Sequence, residues 1–138
     1  MSKRAFTADM EVRDYELDIH GVVNNAVYQN YLEHARHLFL KANGVDFEQI
    51  TREGVHLVVT RMELDYLTPL KSGDSFRVSV EMERVSRLRW GFRQEIVRIA
   101  DDKPMLRAFV VGTSLDQRGR PHLPPLVEQL LKDSVTLP

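Results

Sequence analysis

Chemistry in this chain concentrates where an acidic loop runs into an amphipathic segment. The stretch Asp14-Tyr15-Glu16-Leu17-Asp18-Ile19-His20-Gly21-Val22-Val23-Asn24-Asn25 sets carboxylates a few residues ahead of the strongest helical pattern in the sequence. A helix N-terminus carries unpaired backbone N–H donors and a partial positive charge. Such donors polarise a carbonyl and stabilise a developing oxyanion, while a nearby carboxylate serves as base or nucleophile. Gly21 lets the backbone approach a ligand closely. The same residues also suit an ordinary acidic loop closed by an asparagine cap, and the physics of the segment is compatible with both readings.

Other candidates are weaker. His34 and His37 stand three apart at helical spacing, but no motif supplies a third metal ligand and H-E-x-x-H is absent, so they read as surface histidines. A G-x-S-x-G elbow, a P-loop and G-x-G-x-x-G are also missing. The sequence has no cysteine, which excludes disulfides, thiolate metal sites and a cysteine nucleophile, and allows a reducing compartment. Arg84, Arg87, Arg89 and Arg93, with Arg118 and Arg120, form a basic run. It could hold phosphates or the acidic surface of a protein, or be the outer face of a sheet paired with Glu81, Glu83 and Glu95.

Positioning these groups requires a helix and a sheet. Val27, Tyr28, Tyr31, Leu32, Ala35, Leu38, Phe39 and Ala42 share one face at helical spacing, which predicts a helix over about 25–41. Gln29, Asn30, Glu33, Arg36, His37 and Lys41 fall on its other side. Asn24 or Asn25 can cap the start, and Asn43-Gly44 supplies a left-handed stop. Glu33 lies almost opposite the apolar stripe, so it reads as solvated or interfacial. A weakly alternating strand over 7–13 precedes the loop, and a short helix over 46–52 follows. Strands are then expected over 55–67, along Phe76-Val78-Val80-Met82, along Leu88-Trp90-Phe92-Ile96, and over 105–115, with a last helix over 125–132. The aromatics Tyr28, Tyr31, Phe39, Tyr66, Trp90 and Phe92 read mostly as core. Strands segregated from one early helix make an α+β domain, an antiparallel sheet closing over that helix.

The 138 residues fit a single domain, 1–138, with no repeat, linker or low-complexity tract. A net charge of -1 gives no basic excess for a nucleic-acid partner. No apolar stretch approaches the length of a membrane span, and the N-terminus lacks a leader's apolar run, so a cytoplasmic protein is expected.

Asp18-x-x-Gly21-Val22-Val23, then Asn25-x-x-Tyr28-x-x-Tyr31, resembles the start of the 4-hydroxybenzoyl-CoA thioesterase family of hotdog-fold enzymes. Pro69-Leu70-Lys71-Ser72-Gly73-Asp74 is similar to that family's P-L-x-x-G-D turn, and the order of elements agrees along nearly the whole chain. The run Val12–Asp18, the run Gly21–Tyr28, and His34, Arg36 and His37 resemble more closely the plant acyl-ACP thioesterase-like proteins of methylketone synthesis. The resemblance implies hydrolysis of an acyl-CoA or acyl-ACP thioester by a homodimer or homotetramer, without metal or redox cofactor. It implies Asp18 as nucleophile or general base, and Asn25 as the helix-start residue whose backbone N–H faces the thioester oxygen. Gly21, Val23, Asn24 and Tyr28 are then expected along the substrate, with Arg87 and Arg89 toward the carrier. The plant plastid acyl-ACP thioesterases carry D-x-N-x-H-V-N-N; here His20 and Val22 replace their Asn and His, so those two roles do not transfer. Two rivals remain: a hydratase or dehydratase using His20 with Glu33, and a binding module without turnover.

Overall fold

The computed structural model describes residues 6–136; the first five residues, on which the expectation about a leader partly rests, lie outside it. Strand β1 (Phe6–Glu11) leads through a single 3-10 turn at Asp14–Glu16 to helix α1 (Val27–Ala42) and the short helix α2 (Phe47–Arg52). Strands β2 (His56–Tyr66), β3 (Ser75–Ser86), β4 (Arg89–Arg98) and β5 (Lys103–Leu115) follow, and helix α3 (Pro125–Thr136) closes the described chain. All five strands join one sheet in the order β1-β3-β4-β5-β2, every neighbouring pair antiparallel. Among the described residues no helix is long and apolar enough to cross a membrane.

Alternation puts the core on one face of the sheet. Phe76, Val78, Val80 and Met82 of β3 are buried together with Trp90, Phe92 and Ile96 of β4, while their neighbours face outward. Tyr28, Tyr31, Leu32, Ala35 and Leu40 of α1 complete this core, and Val127, Leu130 and Leu131 of α3 join it. Each side chain taken fully out of water contributes roughly 1.5–3 kcal/mol before entropy is counted.

The expected stripe on α1 is rotated. Leu38 and Phe39 are only half-buried and Ala42 is exposed, while Leu40 and Arg36 are buried at 7% exposure each. The Tyr28-Leu32-Arg36-Leu40 side of α1 faces the sheet, where Arg36 meets Gln94 of β4, and beyond Leu40 the core continues with Val45 and with Ile50 of α2. Arg36 therefore does not belong to the polar face. Helix α2 starts where expected because the Asp46 carboxylate accepts N–H bonds from Glu48 and Gln49, at 3.0 and 3.2 Å.

Candidate active site

The acidic loop is a compact hydrogen-bonded device. Asp18 Oδ1 accepts from the backbone N–H of His20 at 2.8 Å and of Val22 at 3.4 Å. The Asp18 N–H donates to Val22 O at 2.8 Å, and Gly21 N–H to Asp18 O at 3.1 Å. Gly21 closes this turn at φ +78, in the left-handed region where a side chain is strained. The chain then threads between neighbours: Val23 N–H donates to Leu70 O at 2.9 Å, and Leu70 N–H donates to the Tyr28 hydroxyl at 3.0 Å. That anchors the loop to the Pro69–Asp74 turn and to α1 at once. The turn has its own lock, since Gly73 takes φ +76 and Asp74 Oδ2 accepts the Lys71 N–H at 2.9 Å.

Beneath the loop, Glu16 is buried at 8% exposure and accepts from the Tyr31 hydroxyl at 2.7 Å and the Arg13 N–H at 2.8 Å. Burial, then this carboxylate, pushes the Tyr31 hydroxyl pKa up. Burial also raises that of Tyr28, against the opposing pull of the Leu70 N–H; the Asp18 charge adds to the rise, so Asp18 and Tyr28 share one electrostatic neighbourhood.

The start of α1 is open. Asn24 Oδ1 accepts the Ala26 N–H at 2.9 Å, so the asparagine cap is Asn24, and it acts ahead of the first turn. Ala26 at the N-cap position offers no side-chain cap, and the first turn holds no acidic residue. Among the described residues the Asn25 backbone N–H has no partner, while its carbonyl accepts from the Tyr66 hydroxyl at 3.2 Å. A cleft of about 120 Å³ opens here, lined by Val22, Val23, Asn25, Tyr28, Tyr66, Leu67, Thr68 and Pro69. Tyr66, expected as core, is 50% exposed and stacks edge-on against Tyr28 with ring centres 5.5 Å apart.

The structure thus brings Val23, Asn25 and Tyr28 to one cleft, with Asp18, Gly21 and Asn24 in the adjoining loop. Arg87 and Arg89 are elsewhere. They flank the β3–β4 hairpin, whereas the Lys71–Asp74 turn that anchors the loop precedes the other end of β3. The twelve residues of β3 separate those ends by roughly 35 Å. Around that run Arg93 pairs with Glu83 at 2.8 Å and Arg84 with Glu128, while Arg107 takes Glu95 at 3.1 Å. Among the described residues neither Arg87 nor Arg89 has an acidic partner. His34 is exposed, as is His37, which stands 4.0 Å from Glu33. Glu33 is 58% exposed by side chain and makes no hydrogen bond or ion pair with His20.

Sequence reasoning missed Arg36 and Gln94. Arg36 Nη1 donates to Gln94 Oε1 at 3.0 Å and Gln94 Nε2 donates to Leu32 O at 3.1 Å, all three buried. The signal was there: Gln94 falls in the inward phase between Phe92 and Ile96, and Arg36 in the i, i+4 row between Leu32 and Leu40.

A five-stranded antiparallel sheet laid around one helix, with a cleft at that helix's start, is the hotdog architecture. Residues 12–132 match the Thioesterase-like superfamily, and the chain belongs to that family. It is 40% identical over 113 residues to the chloroplastic acyl-acyl carrier protein thioesterase ATL3 of Arabidopsis thaliana, covering 82% of this chain and 60% of the relative. The chain spans about three-fifths of the length of the plant relatives it matches, 60% of ATL3 and 62% of ATL2. Among solved structures, a 1,4-dihydroxy-2-naphthoyl-CoA thioesterase from Synechocystis superposes with a TM-score of 0.87 at 19% identity, over 94% of this chain and 96% of that one. A Staphylococcus aureus protein in complex with CoA superposes at 0.89 with 18% identity, over 100% and 89%. Likeness at that identity speaks for the fold.

Proposed function

We propose that the chain hydrolyses an acyl thioester of CoA or acyl carrier protein, at the start of α1. The observation that carries the reading is the unpaired Asn25 N–H just ahead of α1, whose first turn holds no acidic side chain, beside the Asp18 loop. The thioester oxygen accepts from that N–H, and the helix dipole favours the negative charge that grows on it. Asp18 attacks the acyl carbon, or takes a proton from the water that does. The tetrahedral adduct collapses with loss of the thiolate. Water supplies hydroxyl to the acyl group and a proton to the sulfur, giving a free acid and a thiol. The 40% identity to a protein named as an acyl-acyl carrier protein thioesterase supports the substrate class.

We place the working unit in a homodimer paired through β2. That strand is a long edge, only partly buried along its length, with Val59 50% exposed. Light scattering should give about twice 16.0 kDa or a multiple of it, and a Thr60→Pro chain should dissociate. A 16.0 kDa particle at micromolar concentration would remove the dimer.

The test of the activity is thiol release from a panel of acyl-CoA and acyl-ACP thioesters. Release from at least one is expected. A chain that binds these thioesters but frees no thiol is a binding module; one that hydrates an enoyl thioester instead is the His20–Glu33 rival.

A further inference from the structure

A second apolar cavity lies away from the start of α1. About 390 Å³ lies between the second half of α1, α2 and the start of β2, within the size range of small-molecule sites. Trp90, Phe92 and Val110 of the sheet line it, with Leu40, Phe47 and Ile50 of the helices. Its ionisable members are Arg36, Glu33, His37 and His56.

Arg36 is the unusual one. It is 7% exposed, and its single hydrogen bond goes to a neutral amide, Gln94. No carboxylate lies within 4.0 Å; Glu33 acts on it only from a distance. A buried cation without an anion is costly, and guanidinium retains its charge even when burial lowers its pKa. Yet among the described residues no fully buried side-chain nitrogen lacks a partner. The nitrogens that Gln94 leaves free therefore keep an opening, and Arg36 opens on this cavity. The result is an apolar chamber with donors of a buried cation exposed inside it. Glu33 at the rim opposes an incoming anion weakly, because it is 58% exposed and screened.

We propose that this cavity binds a carboxylate carried on an apolar body, with the carboxylate on the free donors of Arg36 and the hydrocarbon against Trp90 and Phe92. Two sources present that chemistry: a free fatty acid, or the distal carboxylate of an acyl chain whose other end is a thioester. Binding requires no turnover, so it is separable from the hydrolysis reading.

Trp90, the one tryptophan of the sequence, lines the cavity and reports on its own occupancy. Its fluorescence is followed while the wild-type protein is titrated with decanoate, decanol and decylammonium. Decanoate should bind at least about tenfold more tightly than decanol, the scale of one charge-assisted hydrogen bond in a dry site, and decylammonium more weakly than either. Arg36→Met should bring decanoate to the level of decanol or below, with decanol binding kept. If Arg36→Met does not fold by circular dichroism, the three-ligand comparison on the wild type decides by itself. Equal affinity for decanoate and decanol overturns the proposal; so does a folded Arg36→Met that keeps the preference, or decanoate binding that leaves Trp90 unchanged. The sources separate on CoA thioesters of decanoate and ω-carboxydecanoate. A lower KM for the ω-carboxy compound assigns the cavity to the far end of a bound chain, and equal KM with decanoate binding assigns it to the free acid.

Discussion

At its start α1 meets a loop whose order runs largely through the backbone, Asp18 turning back on His20 and Val22, and Val23 and Leu70 clasping each other and Tyr28. About three turns further on, the same helix borders a chamber made of side chains, with Arg36 set into a largely apolar wall and held by Gln94. The first region offers N–H donors at a fixed place and a carboxylate beside them. The second offers volume and a charge. On the readings proposed above, reaction and recognition draw on different materials, and one helix carries both: its unsatisfied terminus at one end, its buried side at the other.

The largest expected effect is at the first region. Asp18→Asn keeps an oxygen to accept from His20 and Val22, so the turn survives. It removes charge and basicity, and kcat should fall by about 100-fold or more. Glu33→Gln should be nearly silent, its side chain being exposed. Thiol release at saturating thioester, with circular dichroism on each variant, checks both. Near-full turnover in Asp18→Asn with loss in Glu33→Gln would transfer the chemistry to the second region and dissolve the contrast.

Gln94→Leu comes next and strikes the other region. It removes the only acceptor of the buried Arg36 guanidinium and a second donor to the Leu32 carbonyl, which costs about 2–3 kcal/mol of stability by denaturant melts. Per-molecule kcat should hold, because the loop contacts are untouched. A melt unchanged within error would mean that Arg36 finds water or another acceptor.

Tyr28→Phe is smaller and tests the clasp. The Leu70 N–H loses its acceptor at a buried site, for about 1–2 kcal/mol, and the loop should loosen. Hydrogen exchange at Val23 should quicken more than at Gln94. The reverse order would show the two regions to be one cooperative unit.

How far the sequence disclosed these regions follows from what holds them. The first was legible because its residues are contiguous: Asp18, Gly21 and the asparagines sit in one run ahead of a clear helical period. Phe76 to Met82 alternates so cleanly that the strand needed no tertiary knowledge. The second region was not read. Arg36 is charged, so residue type put it on the polar face, and nothing in residue type marked Gln94; only the phases of a helix and a strand far apart in the chain, taken together, bury them.

The smallest effect concerns acid, and it separates the regions by what supports them. Arg98 holds Asp101 through two bonds, 2.7 and 2.9 Å, and also approaches Asp74 at 3.9 Å in the turn that anchors the first region. Its guanidinium pulls the Asp101 carboxyl from 3.8 down to about 2. A carboxyl depressed in the folded state adds stability above its unfolded pKa and loses that stability as pH falls through the folded value. The contribution is therefore whole at pH 7, still nearly so at pH 4.5, and gone near pH 2. Both groups border solvent, so the gain is small and shrinks with salt. Thermal melts of wild type and Arg98→Met should differ by a constant small margin from pH 7 to about 4.5, and converge between pH 4 and 2. Amides of the 70–74 turn should lose protection over that same interval, ahead of those around Gln94, whose bonds involve no titrating carboxylate. A margin that persists at pH 2 would place the stabilisation in the packing of the Arg98 stem, and equal loss of protection at both sites would mean that acid acts on the sheet as a whole.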